Sequence, residues 1–206
     1  MTQRILVWDV PTRVFHWLQA LAFGGAYLLA FSERFRDYHD ALGYILLGLL
    51  AFRLVWGFIG TDYARFSSFL FRPREIAAYL RAMFNGKPVH HLGHNPAGSV
   101  SVWLLIALGL FICVTGVLSL QDDASDRVVD LHGLATRIML GVIALHLVGV
   151  LMSSILHREN LVRAMLTGYK SAEKEQGIQR AYRWLGFLMV VAVVIFWFTY
   201  ARRPLG

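Results

Sequence analysis

The sequence predicts an all-α membrane protein, a bundle of transmembrane helices with little outside it. Three observations predict this. Hydrophobic residues make up 57% of the 206 and charged residues only 16%, where a soluble domain carries about a quarter charged. Five apolar runs come close to the roughly 20 residues that cross a hydrocarbon core: Val14–Phe31, Ala41–Gly60, Val100–Leu120, Leu131–Leu156 and Trp184–Tyr200. No stretch alternates polar and apolar residues as a barrel strand must, and only helices and closed barrels satisfy every backbone group in lipid.

The first run is read as a retained helix. Its length suits a span, and "AFSERF" behind it offers no small-x-small cleavage site. Between the second and third runs, "RPREIAAYLRAMFNG" has Pro73 at a first helical position and Gly86 as a stop, with one apolar face. It is expected to lie along the membrane surface, as is "NLVRAMLTGYK" after the fourth run. Asn95-Pro96 reads as the cap and first turn of the third span.

Charge sets the orientation. With the N-terminus inside, the inner segments hold thirteen Lys and Arg: Arg4, Arg13, Arg65, Arg72, Arg74, Arg81, Lys87, Arg158, Arg163, Lys170, Lys174, Arg180 and Arg183. The outer segments hold five, Arg34, Arg36, Arg127, Arg202 and Arg203, and Arg53 and Arg137 lie within runs. The positive-inside rule then places the N-terminus in the cytoplasm and, after five spans, the C-terminus outside. The net charge of +7 is an orientation signal and gives no reason to expect nucleic-acid binding. The outer segment "QDDASDRVVD" is acidic, with Asp122, Asp123, Asp126 and Asp130 against Arg127. Such a loop suits electrostatic steering of a basic partner, and equally the plain solvation of a loop. The single cysteine, Cys113, excludes a disulfide within the chain and reads as a small core residue. Without C-x-x-C-H, covalent c-type haem is excluded as well.

Histidines carry the functional signal, because ionisable groups inside a membrane are expensive. His132 and His146 are fourteen residues apart, about four turns, so they project from nearly one face some ~21 Å apart. His39 stands just before the second run and His16 just inside the first. Threaded with the N-terminus inside, depth pairs His39 with His132 and His16 with His146. Two pairs stacked across a bilayer suit two haems with two axial ligands each; the alternative is histidines bonded to carbonyls or hydroxyls between helices. Arg53 follows His39 by the same fourteen residues, at the depth of the second pair. A guanidinium there calls for an anion, and with no Asp or Glu inside any run a haem propionate is the favoured one. Glycines 24, 25, 43, 48, 109, 116, 133 and 141 fit either flat macrocycles or ordinary helix packing. His157, eleven residues after His146, competes with it as the inner ligand. His146 is preferred because it sits in mid-run, whereas His157 adjoins polar "REN". In "HHLGHNP", His90 and His91 read as surface residues, and His94 as the one best placed for a metal or quinone pocket.

The segments "VWDVPTRVFHW", "FRLVWGFIGTDYARF", "GHNPAG", "LHGLATRIMLGVIALHLVGVL" and "ENLVRAMLTGYK" together resemble the bacterial cytochrome b561 and Ni-hydrogenase b-type cytochrome subunit family. The resemblance runs in family order through most of the chain up to about Lys170. It implies a four-helix transmembrane haem-binding bundle of the bacterial inner membrane, residues 1–170, with 171–206 adding an inner-surface linker and a fifth C-terminal transmembrane helix. That helix has no histidine and is expected to pack outside the haem core. The resemblance also implies His16, His39, His132 and His146 as axial ligands, hence two haem b groups, while Arg53 on a propionate and His94 near a cofactor remain readings of the residues themselves. Quinone or quinol would be the diffusible substrate, and a periplasmic c-type cytochrome or hydrogenase the partner. Two other readings stand beside this one: a superoxide:quinone oxidoreductase, and a transporter using the histidines as a proton or metal path.

Overall fold

The computed structural model describes residues 3–86, 89–173 and 176–201. Lys87, Lys174, Arg202 and Arg203, counted above for orientation, lie outside the described residues. Among the described residues seven α-helices dominate: α1 Val10–Leu29, α2 Arg36–Ile59, α3 Pro73–Phe84, α4 Pro96–Ser119, α5 Asp126–Leu156, α6 Leu161–Thr167 and α7 Arg183–Ala201. Helices covering Glu33–Ile59, Pro96–Ser119, Asp126–Leu156 and Arg183–Tyr200 are long and apolar enough to cross a membrane. The first of the five expected runs is not among these four. It does form α1, but Thr12, Arg13, His16 and Gln19 lower the apolarity of that helix.

Two small departures from an all-helical reading occur. β1 (Gln3–Leu6) and β2 (Tyr169–Ala172) pair antiparallel, with Gln3 opposite Ala172 and Leu6 opposite Tyr169. Strands this short carry no alternation long enough to read, and their pairing spans most of the chain. The second surface helix, α6, has only seven residues. Its end is dictated locally: Asn160 accepts the Arg163 N–H at 2.7 Å at the start, and Gly168 adopts φ 88° at the stop, a left-handed conformation that glycine takes without penalty.

The chain forms two compact units, each assembled from separate segments. The first contains Met1–Asp9, Val55–Ala107 and Ile138–Ala181. Its core packs Ile5, Val7, Trp8, Ala164 and Ala172, flanked by Tyr63, Leu92 and Met165. The Gly168 carbonyl accepts the Val7 and Trp8 N–H groups at 2.8 and 3.1 Å, which pins the turn after α6 to the end of β1. In α3, Pro73 occupies the start, the Glu75 carboxylate accepts the Arg72 N–H, and Gly86 follows at φ 68°, as the sequence predicts. Asn95 Oδ1 accepts the Gly98 N–H at 2.7 Å and so caps α4.

The second unit contains Val10–Leu54, Leu108–Arg137 and Tyr182–Gly206. Its helices approach closely where glycine permits. A Cβ at Gly25 would stand 2.9 Å from Leu42, and one at Gly186 would stand 2.5 Å from Val10. The second contact seats α7 on α1. Tyr38–Trp197 and Tyr44–Tyr200 ring contacts at 5.7 and 6.0 Å hold α7 to α2 as well. Cys113 is buried, its Sγ 3.9 Å from the Gly43 carbonyl.

Candidate haem site

In the second unit, α2 carries His39 and α5 carries His132, both half-buried. The helix begins three residues ahead of His39, so this histidine lies inside α2 and not ahead of it. The two imidazole centres are 6.2 Å apart with planes at 73°. His39 Nδ1 donates to the Ala26 carbonyl on α1 at 2.8 Å. His132 Nδ1 donates to the Ile112 carbonyl on α4 at 3.0 Å, with Thr115 Oγ1 at 3.3 Å. A carbonyl can only accept, so each Nδ1 carries a proton, and it is Nε2 that presents the lone pair in the neutral ring. This is the arrangement found around metal-ligating histidines, whose second nitrogen is fixed by an outer hydrogen bond.

The spacing can be tested against a shared metal. With a metal–nitrogen length of about 2.0 Å, two imidazoles on opposite sides of one ion have ring centres about 6 Å apart. The observed 6.2 Å fits, and two imidazoles are donors that a b-type haem iron would take. Gly116 on α4 faces the His132 ring, where a Cβ would lie 3.2 Å from Cε1.

The other expected residues lie as follows. His16 is half-buried on α1, its ring edge-on to Trp17 at 5.0 Å. Arg53 is 3% exposed on α2, fourteen residues beyond His39 and hence on nearly the same face. His146 is half-buried on α5 in the first unit, fourteen residues beyond His132. His94, also in the first unit, is boxed by aromatic rings, 4.9 Å from Trp8 and 4.5 Å from Phe69.

His157 belongs to a different group of the first unit. Its ring centre is 5.2 Å from that of His90, whose Nε2 lies 3.3 Å from Glu159 Oε2. Glu159 also takes Lys170 Nζ at 2.9 Å, and this lysine side chain is only 3% exposed, donating to the Leu92 carbonyl at 3.1 Å. His91 sits between Phe71 and Tyr79, each at 5.7 Å, so it is not the surface residue expected. Burial pushes the His91 imidazole below its ordinary value, helped by His90, His157 and Lys170. Burial, then His90 and Lys170, lowers His157 too, against the opposing Glu159 carboxylate. Among the described residues, no trio of His, Cys, Asp or Glu is placed to hold a bare metal ion.

Sequence reasoning missed Asp9. It is fully buried just ahead of α1, where its carboxylate accepts the Trp56 indole N–H at 3.1 Å and the Thr61 hydroxyl. The lone Asp in "VWDVP", before a helix-starting proline, was the available signal. The Lys170–Glu159 pair had none, since only the fold joins β2 to the end of α5.

Residues 7–168 match the family described as prokaryotic cytochrome b561. The chain is 22% identical to a protein of Rhodobacter capsulatus named "Probable Ni/Fe-hydrogenase B-type cytochrome subunit", over 84% of this chain and 83% of that one. It is 24% identical to a protein of the same name from Rhizobium leguminosarum bv. viciae, over 81% and 88%. A "Probable Ni/Fe-hydrogenase 1 B-type cytochrome subunit" of Escherichia coli K12 is 25% identical over 53% and 57%. No solved structure matches the chain. With most of its length inside the match and four helices fit to cross a membrane, the chain belongs to the prokaryotic cytochrome b561 family.

Proposed function

We propose that this chain is a di-haem b-type cytochrome of the bacterial inner membrane that passes electrons between the quinone pool and a periplasmic redox partner. The observation that carries this reading is the His39–His132 pair, 6.2 Å between ring centres with both Nδ1 atoms tied to carbonyls. The pair would hold one haem b. His16 and His146 would hold a second, with Arg53 on a propionate and His94 bordering its pocket. A haem iron with two imidazole ligands has no open position, so it supplies one-electron exchange without oxygen binding.

The chain's own residues then set orientation and potential. The Ala26 and Ile112 carbonyls fix the tautomer and the ring plane of the two ligands and raise their basicity. Arg53, buried in α2, adds positive charge where reduction adds an electron. His157 packs against His90, which is itself bonded to Glu159, and this supports His146 as the second pair's α5 member. In this reading α1 crosses the membrane as a fifth span, shielded by α7. The N-terminus is cytoplasmic and the C-terminus periplasmic, and residues 1–170 form the cytochrome domain. The names of the relatives favour a hydrogenase as partner over a c-type cytochrome.

The experiment is haem stoichiometry by pyridine haemochrome on the purified protein and on four single His→Ala variants. Two haems per chain are expected, one lost in His39→Ala and His132→Ala and the other in His16→Ala and His146→Ala. A single haem in the wild type, or retention of both haems in His146→Ala with loss in His157→Ala, would overturn the assignment.

A further inference from the structure

One charge in the membrane-crossing segments is not accounted for by the haem reading. Arg137 lies on α5 seven residues beyond Asp130, inside the apolar stretch that opens at Leu131, and its side chain is exposed. At 100° per residue it points about 140° away from His132 and about 180° away from His146. A macrocycle held by those histidines is therefore on the far side of the helix. Among the described residues Arg137 forms no ion pair. A guanidinium facing hydrocarbon costs several kcal/mol unless it reaches an anion.

The side chain shows where it reaches. Helical side chains run back towards the N-terminus, and Arg137 Nη1 comes within 3.6 Å of where a Cβ on Gly133 would stand. The guanidinium is thus level with Gly133, close to the mouth of the membrane segment. Seven residues is almost two full turns, so Asp130 projects from the same face. Its carboxylate is exposed and stands at least ~4.5 Å above the guanidinium, three residues of rise, too far for a direct ion pair. Asp126, eleven residues before Arg137, extends the same exposed stripe. The face offers a cation at the edge of the hydrocarbon and carboxylates one step further out.

We infer that Arg137 and Asp130 form a binding site for the head group of a phospholipid carrying both a phosphate and a primary ammonium, a phosphatidylethanolamine. The phosphate sits on the Arg137 guanidinium, and the ammonium, a few bonds further out, sits on the Asp130 carboxylate. The acyl chains lie along Leu134 and Ile138, exposed at 47% and 48% on the flank of the same face. Charge order selects the lipid. Asp130 and Asp126 repel a purely anionic head group such as phosphatidylglycerol, and a trimethylated ammonium cannot donate hydrogen bonds to the carboxylate.

The test is native mass spectrometry of the purified, haem-loaded protein released from micelles doped equally with phosphatidylethanolamine, phosphatidylglycerol and phosphatidylcholine. Wild type should retain phosphatidylethanolamine in clear excess over the other two. Arg137→Gln and Asp130→Asn should each bring retention to parity, whereas Arg137→Lys should keep most of it. An unchanged haem absorbance spectrum certifies the fold of each variant, and haem loss in the wild type would count against the haem reading, not this one. Equal retention of the three lipids by wild type, or a preference untouched by both variants, overturns the site. So does a change of oligomeric state in Arg137→Gln without a change in lipid retention, which would assign this face to a protein helix.

Discussion

Replacing Gly116 by valine is the sharpest probe of the His39–His132 site. A Cβ there would stand 3.2 Å from His132 Cε1 and 3.4 Å from Nδ1, the first tight enough that the ring must shift slightly, and the two added methyls extend the intrusion. The ring cannot yield without cost, because its Nδ1–H is committed to the Ile112 carbonyl at 3.0 Å. Losing that outer-shell geometry weakens metal ligation by about 10- to 100-fold, equivalent to about 1.4–2.7 kcal/mol. The assay is haem transfer to excess apomyoglobin, followed by absorbance. One of two kinetic phases should accelerate by about that factor in Gly116→Val and by less in Gly116→Ala, the other phase staying as in wild type. Gly141→Val, whose Cβ would meet nothing within 4 Å, should leave both phases unchanged. Equal acceleration of both phases would mean that Gly116 serves general helix packing; no acceleration would remove His132 from the ligand set.

Three further outcomes are expected. Arg53→Leu should lower the midpoint potential of one haem and leave the other, because a buried positive charge favours the reduced state; a potentiometric titration showing neither shifted would detach Arg53 from the cofactor. Lys170→Met should destabilise the first unit by about 3 kcal/mol, since it leaves Glu159, 20% exposed, with only the His90 imidazole beside it; an unchanged thermal melt in detergent would contradict this. His91 and His157 are both held below the ordinary value of 6.5, so the unfolded chain binds more protons. Their contribution is complete above about pH 6.5 and lost as pH falls through the lower folded values. Limited proteolysis of the 89–95 loop should therefore speed up on acidification, and His91→Gln with His157→Gln should flatten that dependence. A pH-independent rate in wild type would show that neither imidazole is linked to folding.

By itself the sequence determined what depends on neighbours along one helix. Apolar runs located α2, α4, α5 and α7, the four helices long and apolar enough to cross a membrane, because the cost of burying backbone in lipid acts on each segment separately. The fourteen-residue spacings His39–Arg53 and His132–His146 fixed which side chains share a face, since helical geometry leaves no freedom there. Asn95 and Pro73 announced helix starts through bonds within four residues. Tertiary structure alone decided which faces meet. The approach of His39 and His132, the carbonyls that orient them and the glycine behind His132 come from four different helices. The β1–β2 pairing and the Lys170–Glu159 contact join segments distant in sequence. The burial of Asp9 depends on Trp56 and Thr61, about fifty residues away, which close around it. The outward aim of Arg137 was already fixed by its helix, but that it forms no ion pair among the described residues is a matter of packing. Local rules place a group on a helix face; only packing determines what that face meets.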